Sequence, residues 1–263
     1  METNTSINKI IVRAMGMLTA LALFGSLQAS SAQPCAPVPT GIVSWWQAES
    51  NALDSVSSNN GQLINGTTFR TGEVHLGFNF DGSRNFVLVQ STNANMNIGA
   101  GPGFTIEGWI NPNNVARQQM ICEYERVLGT YSGSDVGIDF CIQASTQLYA
   151  NVTDGVTAHE LYAPVNTLTN GVWQHVALTY DKYSGIAALY INGVAVTAQN
   201  IGTITPQTSF PNLLFGARTT FGSVTYPDTL FAGGMDEFGI YNRALYDCEI
   251  EAIYNAGSTG KCQ

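Results

Sequence analysis

Alternation of apolar and polar positions dominates the chain after residue 40, and it predicts β-strands. Phe104, Ile106 and Ile110 fall on one face of a run that Pro112 ends. Val172, Gln174, Val176, Leu178 and Tyr180 repeat the pattern. Ala187–Ile191 leads into Asn192-Gly193 and then Val194–Val196, and Asn-Gly between β-formers is the strongest short-range hairpin signal. Phe78–Phe80, Phe86–Val89, Leu213–Phe215 and Phe238–Tyr241 predict further strands. Gly, Asn, Asp and Pro separate these runs. One helix is predicted, Asp247 to Ala256, stopped by Gly257. Ile250, Ile253 and Tyr254 share one of its faces, Glu249 and Glu251 suit its positive start, and Asp247 can serve as N-cap. No internal repeat, charge block or linker follows Pro39. The pattern predicts one antiparallel β-sandwich closed by a helix.

The first 40 residues read differently. Lys9 and Arg13 precede an apolar run from Ala14 to Leu27, and small residues at Ser30 and Ala32 predict signal-peptidase cleavage after Ala32. The run is shorter than the roughly 20 residues that span a bilayer, and no second long apolar stretch follows. The expectation is therefore a cleaved signal peptide over 1–32 and a single domain over 33–263. The product would be secreted, periplasmic or held at the cell surface without a membrane span. Charged residues make up only 11% of the chain, below the roughly 25% of ordinary soluble domains. The formal charge is −9, and removing Glu2, Lys9 and Arg13 with the leader leaves 8 basic against 18 acidic side chains. Such a surface repels phosphate backbones, so nucleic acid is an unfavourable partner, whereas calcium and neutral polymers are compatible.

Export makes disulfides plausible for Cys35, Cys122, Cys141, Cys248 and Cys262. No Cys-x-x-Cys pair or Cys/His cluster favours zinc. Cys35 and Cys262 sit at the two mature ends, which sandwiches often bring close, so the expected pair is Cys35–Cys262. Cys122 and Cys141 could bridge neighbouring strands, which leaves Cys248 over.

Four motifs in order carry a family resemblance. Gly77-Phe-Asn-Phe-Asp-Gly82 is followed by Phe86-Val87, and Phe104-Thr-Ile-Glu-Gly-Trp-Ile-Asn-Pro112 comes next. Trp173-Gln-His-Val-Ala177 runs through Tyr180-Asp181 to Leu189-Tyr-Ile-Asn-Gly193. Met235-Asp-Glu-Phe238 leads to Tyr241-Asn-Arg-Ala-Leu245 and Glu249-Ile250. Together they cover roughly Gly41 to Gly260 and resemble the bacterial laminin G-like domains of the concanavalin A-like lectin/glucanase superfamily. The resemblance implies an all-β, two-sheet antiparallel jelly-roll sandwich with one short C-terminal helix and one sheet curved into a concave face. Tyr246 stands where such domains usually cap the helix with Ser or Thr, and Asp247 is expected to take over that role.

The same architecture houses glucanases, whose chemistry needs two carboxylates about 5–5.5 Å apart for retention. On one strand this reads Glu-x-Asp-x-x-Glu, which the chain lacks. Glu123 and Glu125 are the nearest approach, and Glu249 and Glu251 lie in the helix. No Gly-x-Ser-x-Gly, His-Glu-x-x-His or phosphate-cradling loop is present, and His75, His159 and His175 are scattered. The expectation is a non-enzyme.

The resemblance also implies a calcium site, with Asp54, Asn59 and Asn60 in an oxygen-rich loop and Asp236 as the distant partner. The alternative for Asp54 is a turn held by its own side chain. Candidate ligand contacts are Trp46, Trp109, Tyr124, Arg126, Tyr131, Arg218 and Tyr226, since aromatic rings stack on sugar C–H faces and loops concentrate binding residues. Trp45 and Trp46 must face opposite ways on a strand, one core and the other exposed. The expected function is binding of a polysaccharide or glycan, or alternatively of an extracellular protein.

Overall fold

Period-two alternation sorts the long strands onto two faces, and the chain folds as two antiparallel sheets pressed together through their apolar faces. The computed structural model describes residues 34–90, 92–125, 136–209, 212–220 and 223–263, without the side chains at 125, 136, 219–220 and 223–228. The predicted leader, Arg126, Tyr131 and the side chain of Tyr226 lie outside this set.

In chain order the strands begin with β1 (Ile42–Trp46), β2 (Gly61–Ile64), β3 (Thr68–Thr71), β4 (Leu76–Asp81) and β5 (Phe86–Gln90). The middle strands are β6 (Gly103–Pro112), β7 (Gln119–Glu125), β8 (Val136–Gln143), β9 (Gln147–Thr153) and β10 (Ala158–Tyr162). Then come β11 (Gln174–Asp181), β12 (Ile186–Ile191), β13 (Val194–Asn200) and β14 (Asn212–Phe215). The series closes with β15 (Arg218–Thr220), β16 (Ser223–Asp228), β17 (Ala232–Tyr241) and the helix α1 (Asp247–Ala256). One sheet runs β13-β12-β11-β6-β17-β4-β3, with β1 also paired to β17. The other runs β10-β9-β8-β7-β14-β5-β2, and β15 pairs with β16 in a separate hairpin.

Phe104, Ile106 and Ile110 of β6, Val176 and Leu178 of β11, and Ile138 and Phe140 of β8 meet in the central core. Trp46 joins them, its ring centroid 5.1 Å from that of Phe215. The Asn192-Gly193 hairpin forms as predicted: both residues have positive φ (50° and 81°), as a two-residue turn of the favoured hand requires. Val172 is not on the inner face, because the strand starts at Gln174 and Val172 stays exposed.

The outer face of the first sheet is covered by α1 and the chain ends. Ile250, Ile253 and Ala256 pack on Ala177, Ala188, Tyr190 and Tyr241. The helix spans the predicted residues, but Tyr246 occupies the N-cap position and Asp247 is the first helical residue. Glu249 makes the cap work by accepting the Tyr246 N–H at 2.9 Å while binding Arg243 at 2.6 and 2.8 Å. Asp247 instead accepts the Tyr190 hydroxyl at 2.7 Å.

The two ends meet beside the helix, where a Cys35–Cys262 disulfide joins them and Ala36 pairs with Lys261 in parallel. The expected Cys122–Cys141 bridge does not exist; both thiols are reduced and buried. Cys141 lies opposite Met120 and Cys122 opposite Phe140, so the pleat sends the two sulfurs to opposite faces of the sheet.

Candidate functional site

Both tryptophans of β1 are buried, which corrects the expectation that one faces solvent. Trp46 donates its indole N–H to the Asn59 carbonyl inside the core, so it is not a surface ligand contact. Trp45 faces the other way, but the C-terminus covers it. Its N–H donates to Glu237 Oε2 at 3.0 Å, and the Lys261 ammonium lies 5.0 Å from its ring centroid. Tyr124 is likewise internal, its hydroxyl donating to the Met96 carbonyl.

The loop expected to hold calcium is a hydrogen-bonded turn. Asp54 Oδ1 accepts the N–H groups of Trp45 and Val56, and Oδ2 accepts Ser57 Oγ–H and the Asn59 N–H. Burial would raise the Asp54 pKa, but the Ser57 hydroxyl and these amides outweigh it and hold it low. Asn60 Oδ1 accepts the Asp54 N–H, and the Asn59 amide binds Ser44, Ser57 and Asn93. Protein donors thus reach the side-chain oxygens of Asp54, Asn59 and Asn60, the arrangement that the turn-forming alternative describes for Asp54.

Asp236 is different. It is fully buried, its Oδ2 accepts the Val74 N–H at 2.9 Å, and its Oδ1 has no partner. Burial, with the Glu237 and Glu49 charges nearby, pushes its carboxyl up to about 8 against the pull of the Val74 amide. The ladder shifts between Asp236 and Gly239, with Glu237 at φ 58°. This bulge lets two adjacent carboxylates work on the same side of the strand. Glu49 comes over from the N-terminal loop, its Oε1 accepting the Leu76 N–H at 3.2 Å. Sequence reasoning missed Glu49, because only the folded loop brings it near Asp236. Among the described residues no group of three or more His, Cys, Asp or Glu side chains converges as a metal site.

The outer face of the second sheet carries a polar row. Register places Leu214 opposite Glu123, Glu123 opposite Asp139, Asp139 opposite Asn151, and Asn151 opposite Glu160. Inner-face neighbours Tyr124, Ile138, Phe140, Ala150, Val152 and Leu161 are core. Alternation therefore turns the row outward. Asn151 is buried and its Oδ1 has no partner. Beside the row the Tyr149 and Tyr162 rings lie 4.9 Å apart at 58°, and the Tyr149 hydroxyl donates to Glu160 Oε1 at 3.0 Å. Burial first, then the Glu160 hydrogen bond, pushes the Tyr149 phenol upward. Tyr162 is 45% exposed. Arg218 reaches the same end of the sheet, where its charge acts on the Cys141 thiol. The row was not legible beforehand, since its members come from four strands and only register aligns them.

The Glu123–Glu125 pair considered from sequence includes a side chain, that of Glu125, that lies outside the described set. The ladder shifts between Tyr124 and Glu125, and the carboxylate facing Glu123 across the strands is Asp139. Trp109 lies elsewhere, on the outer face of the first sheet, with its ring 5.3 Å from His175 and 5.8 Å from Tyr254.

Two antiparallel sheets, one backed by a closing helix and one presenting a polar face, define a sandwich of the lectin-like class. A family model of laminin G type, described as concanavalin A-like lectin/glucanases superfamily, matches residues 81–251, and the chain belongs to that family. No curated protein matches the chain in sequence. Among solved structures, it is similar to the binding domain of Paraclostridial Mosquitocidal Protein 1, with TM-score 0.65 and 17% identity over 82% of this chain and 52% of that one. It is also similar to the receptor binding domain of botulinum neurotoxin D, with TM-score 0.61 and 16% identity over 81% and 52%. A third is the botulinum neurotoxin serotype D ligand binding domain in complex with N-acetylneuraminic acid, with TM-score 0.60 and 18% identity over 81% and 50%. The chain spans about half the length of these domains, and at such identities the likeness is one of fold.

Proposed function

We propose that this chain is an exported, non-catalytic glycan-binding module. The observation that carries the reading is the outer-face row that runs from buried Glu123 through Asp139 and Asn151 to exposed Glu160, beside the half-exposed Tyr162 ring. Carboxylate and amide groups suit sugar hydroxyls, and an exposed phenol ring beside them suits sugar C–H faces. The disulfide between the chain ends supports an oxidising compartment. Among the described residues no helix is long and apolar enough to cross a membrane. The family and the binding domains it resembles favour binding over catalysis.

Calcium belongs to this proposal at Asp236 rather than at Asp54. The partnerless Asp236 Oδ1 and the nearby Glu49 carboxylate fit a hard cation, with main-chain carbonyls and water completing six to eight oxygens. Bound there, the ion would neutralise a buried carboxylate and tie the N-terminal loop to β17. Calcium is expected to raise the thermal midpoint relative to chelator in the native protein and to leave Asp236→Asn unmoved.

The test of function is a glycan and polysaccharide array read with calcium and with chelator. Binding to a defined sugar class that Tyr162→Ala abolishes supports the module. Silence from folded protein in both buffers rejects it. In that event a saturable protein partner recovered from envelope or culture fractions would favour the second reading, adhesion, which the receptor-binding neighbours make specific. Release of reducing ends, lost in Glu123→Gln, would overturn the non-catalytic part.

A further inference from the structure

A concave site lies on the opposite side of the sandwich from the polar row. It is a cleft of about 410 Å³ whose walls include Trp109, Trp173, Tyr254, Glu73 and Asn192. That volume falls in the small-ligand range, and aromatic walls with a few convergent polar groups are the usual composition of a binding site. Each wall has a local cause. Trp173 lies just ahead of β11 and leans over Gly234, where a Cβ would stand 2.6 Å from the indole Cη2. Tyr254, on the predicted apolar face of α1, stays only partly covered because it rests against the Asn192-Gly193 turn; a Cβ on Gly193 would come 3.0 Å from the ring. Trp109 forms the floor, 4% exposed and tilted 32° to Tyr254.

The polar groups are placed as well. Asn192 Oδ1 accepts the His175 N–H at 3.0 Å, which fixes the side chain and leaves its amide N–H groups to donate. Glu73 is half-buried at the rim, and burial alone raises its pKa. Among the described lining residues there is no lysine, arginine or histidine.

From this geometry we propose that the cleft binds a single neutral sugar unit, stacked on Trp173 and Tyr254 and hydrogen-bonded by Glu73 and Asn192. A neutral sugar is preferred over a sialic or uronic acid because the acid's carboxylate would meet Glu73, while Arg70, whose Cδ flanks the same Gly234 as the Trp173 ring, is the base beside the aromatic wall. The site is separate from the polar row of the second sheet. It shares with the proposed function the idea that the ligand is a sugar, but not its location.

The test is titration of the full mature chain with neutral oligosaccharides and, in parallel, with sialyllactose. Intrinsic fluorescence and calorimetry are the readouts. Neutral sugars are expected to shift the tryptophan emission. Trp173→Ala and Glu73→Gln should each weaken that binding by about tenfold or more, the range expected when a buried stacking or charge-assisted contact is removed. Tyr183→Ala, at an exposed residue outside both the cleft and the polar row, should leave it unchanged. Trp173→Ala could also loosen the fold, so Glu73→Gln, which conserves shape, is the deciding variant, with its thermal midpoint measured beside it. If neutral sugars bind undiminished to both cleft variants but not to Tyr162→Ala, the cleft assignment is overturned and the glycan-binding reading stands. If sialyllactose competes as well as neutral sugars at the cleft, the stated specificity is overturned. If native protein binds no neutral sugar at all, the assignment fails outright.

Discussion

Lys261 is buried, with its ammonium 2.9 Å from Glu107 Oε1 and 2.8 Å from the Glu237 carbonyl oxygen. Glu107 also meets His175 Nε2 at 3.0 Å. Burial alone would raise the Glu107 pKa, yet the Lys261 charge and the His175 hydrogen bond hold it below its ordinary value. Removing one partner of a buried pair strands the other, so Lys261→Ala should destabilise the fold by about 3–5 kcal/mol in urea titrations at neutral pH. The acid response follows from the direction of the Glu107 shift. Its folded pKa lies under the unfolded value, so the contribution is complete above pH near 4.5 and disappears as acid protonates the carboxyl. Urea midpoints should fall below pH about 4.5, and less steeply for a paired Glu107→Gln, Lys261→Met variant. An unchanged slope in that variant would assign the acid sensitivity elsewhere. The Nε2 of His175 is partnered by Glu107, while its Nδ1 is buried without a partner.

At the scale of elements, the cysteines separate by pleat and burial. Cys122 and Cys141 are buried on opposite faces of the second sheet, and burial pushes both thiols upward; Cys248 is exposed at the start of α1. A thiol reagent should label one cysteine in the native protein and three after denaturation without reductant. A Cys122–Cys141 disulfide would leave only one in both. The Asn192-Gly193 turn carries two loads, hairpin geometry and contact with Tyr254. Gly193→Val forces a branched residue into positive φ at roughly 1–2 kcal/mol and crowds the Tyr254 ring. Its thermal midpoint should drop more than that of Gly202→Val, a positive-φ glycine with open space around it. Strand positions and the helix span were legible here, because periodicity depends on local alternation. The missed features were a bulge at Asp236–Gly239, the cap at Tyr246 and the burial of Trp45, each of which depends on a partner far along the chain.

For the whole molecule, the Cys35–Cys262 disulfide links residues 227 positions apart and encloses nearly all of the described fold. Reducing it should lower stability by roughly 2–5 kcal/mol, read as a shift in urea midpoint with and without reductant. The same clamp holds Lys261 beneath Trp45, so reduction should also increase the solvent quenching of tryptophan emission. The sandwich turns two chemically distinct faces to solvent. One is the Glu160–Tyr162 end of the acidic row, and the other is the Trp173–Tyr254 cleft beside α1. A formal charge of −9 argues against polyanionic ligands at either face.

The alternation of the strands, the Asn192-Gly193 turn, the helix from Asp247 and the order of four motifs were written in the linear chain, because backbone propensity and side-chain period act between near neighbours. Those local features specified an antiparallel sandwich and its family. The chain could not specify which polar residues meet. Glu123, Asp139, Asn151 and Glu160 align only through strand register, and Glu49 reaches Asp236 only through a folded loop. Asp54 reads in the sequence as a ligand or as a turn former, and only the fold brings four protein donors onto its oxygens. Sites are built from long-range juxtaposition, and burial then sets the energy of each group brought there, so tertiary structure alone decided them.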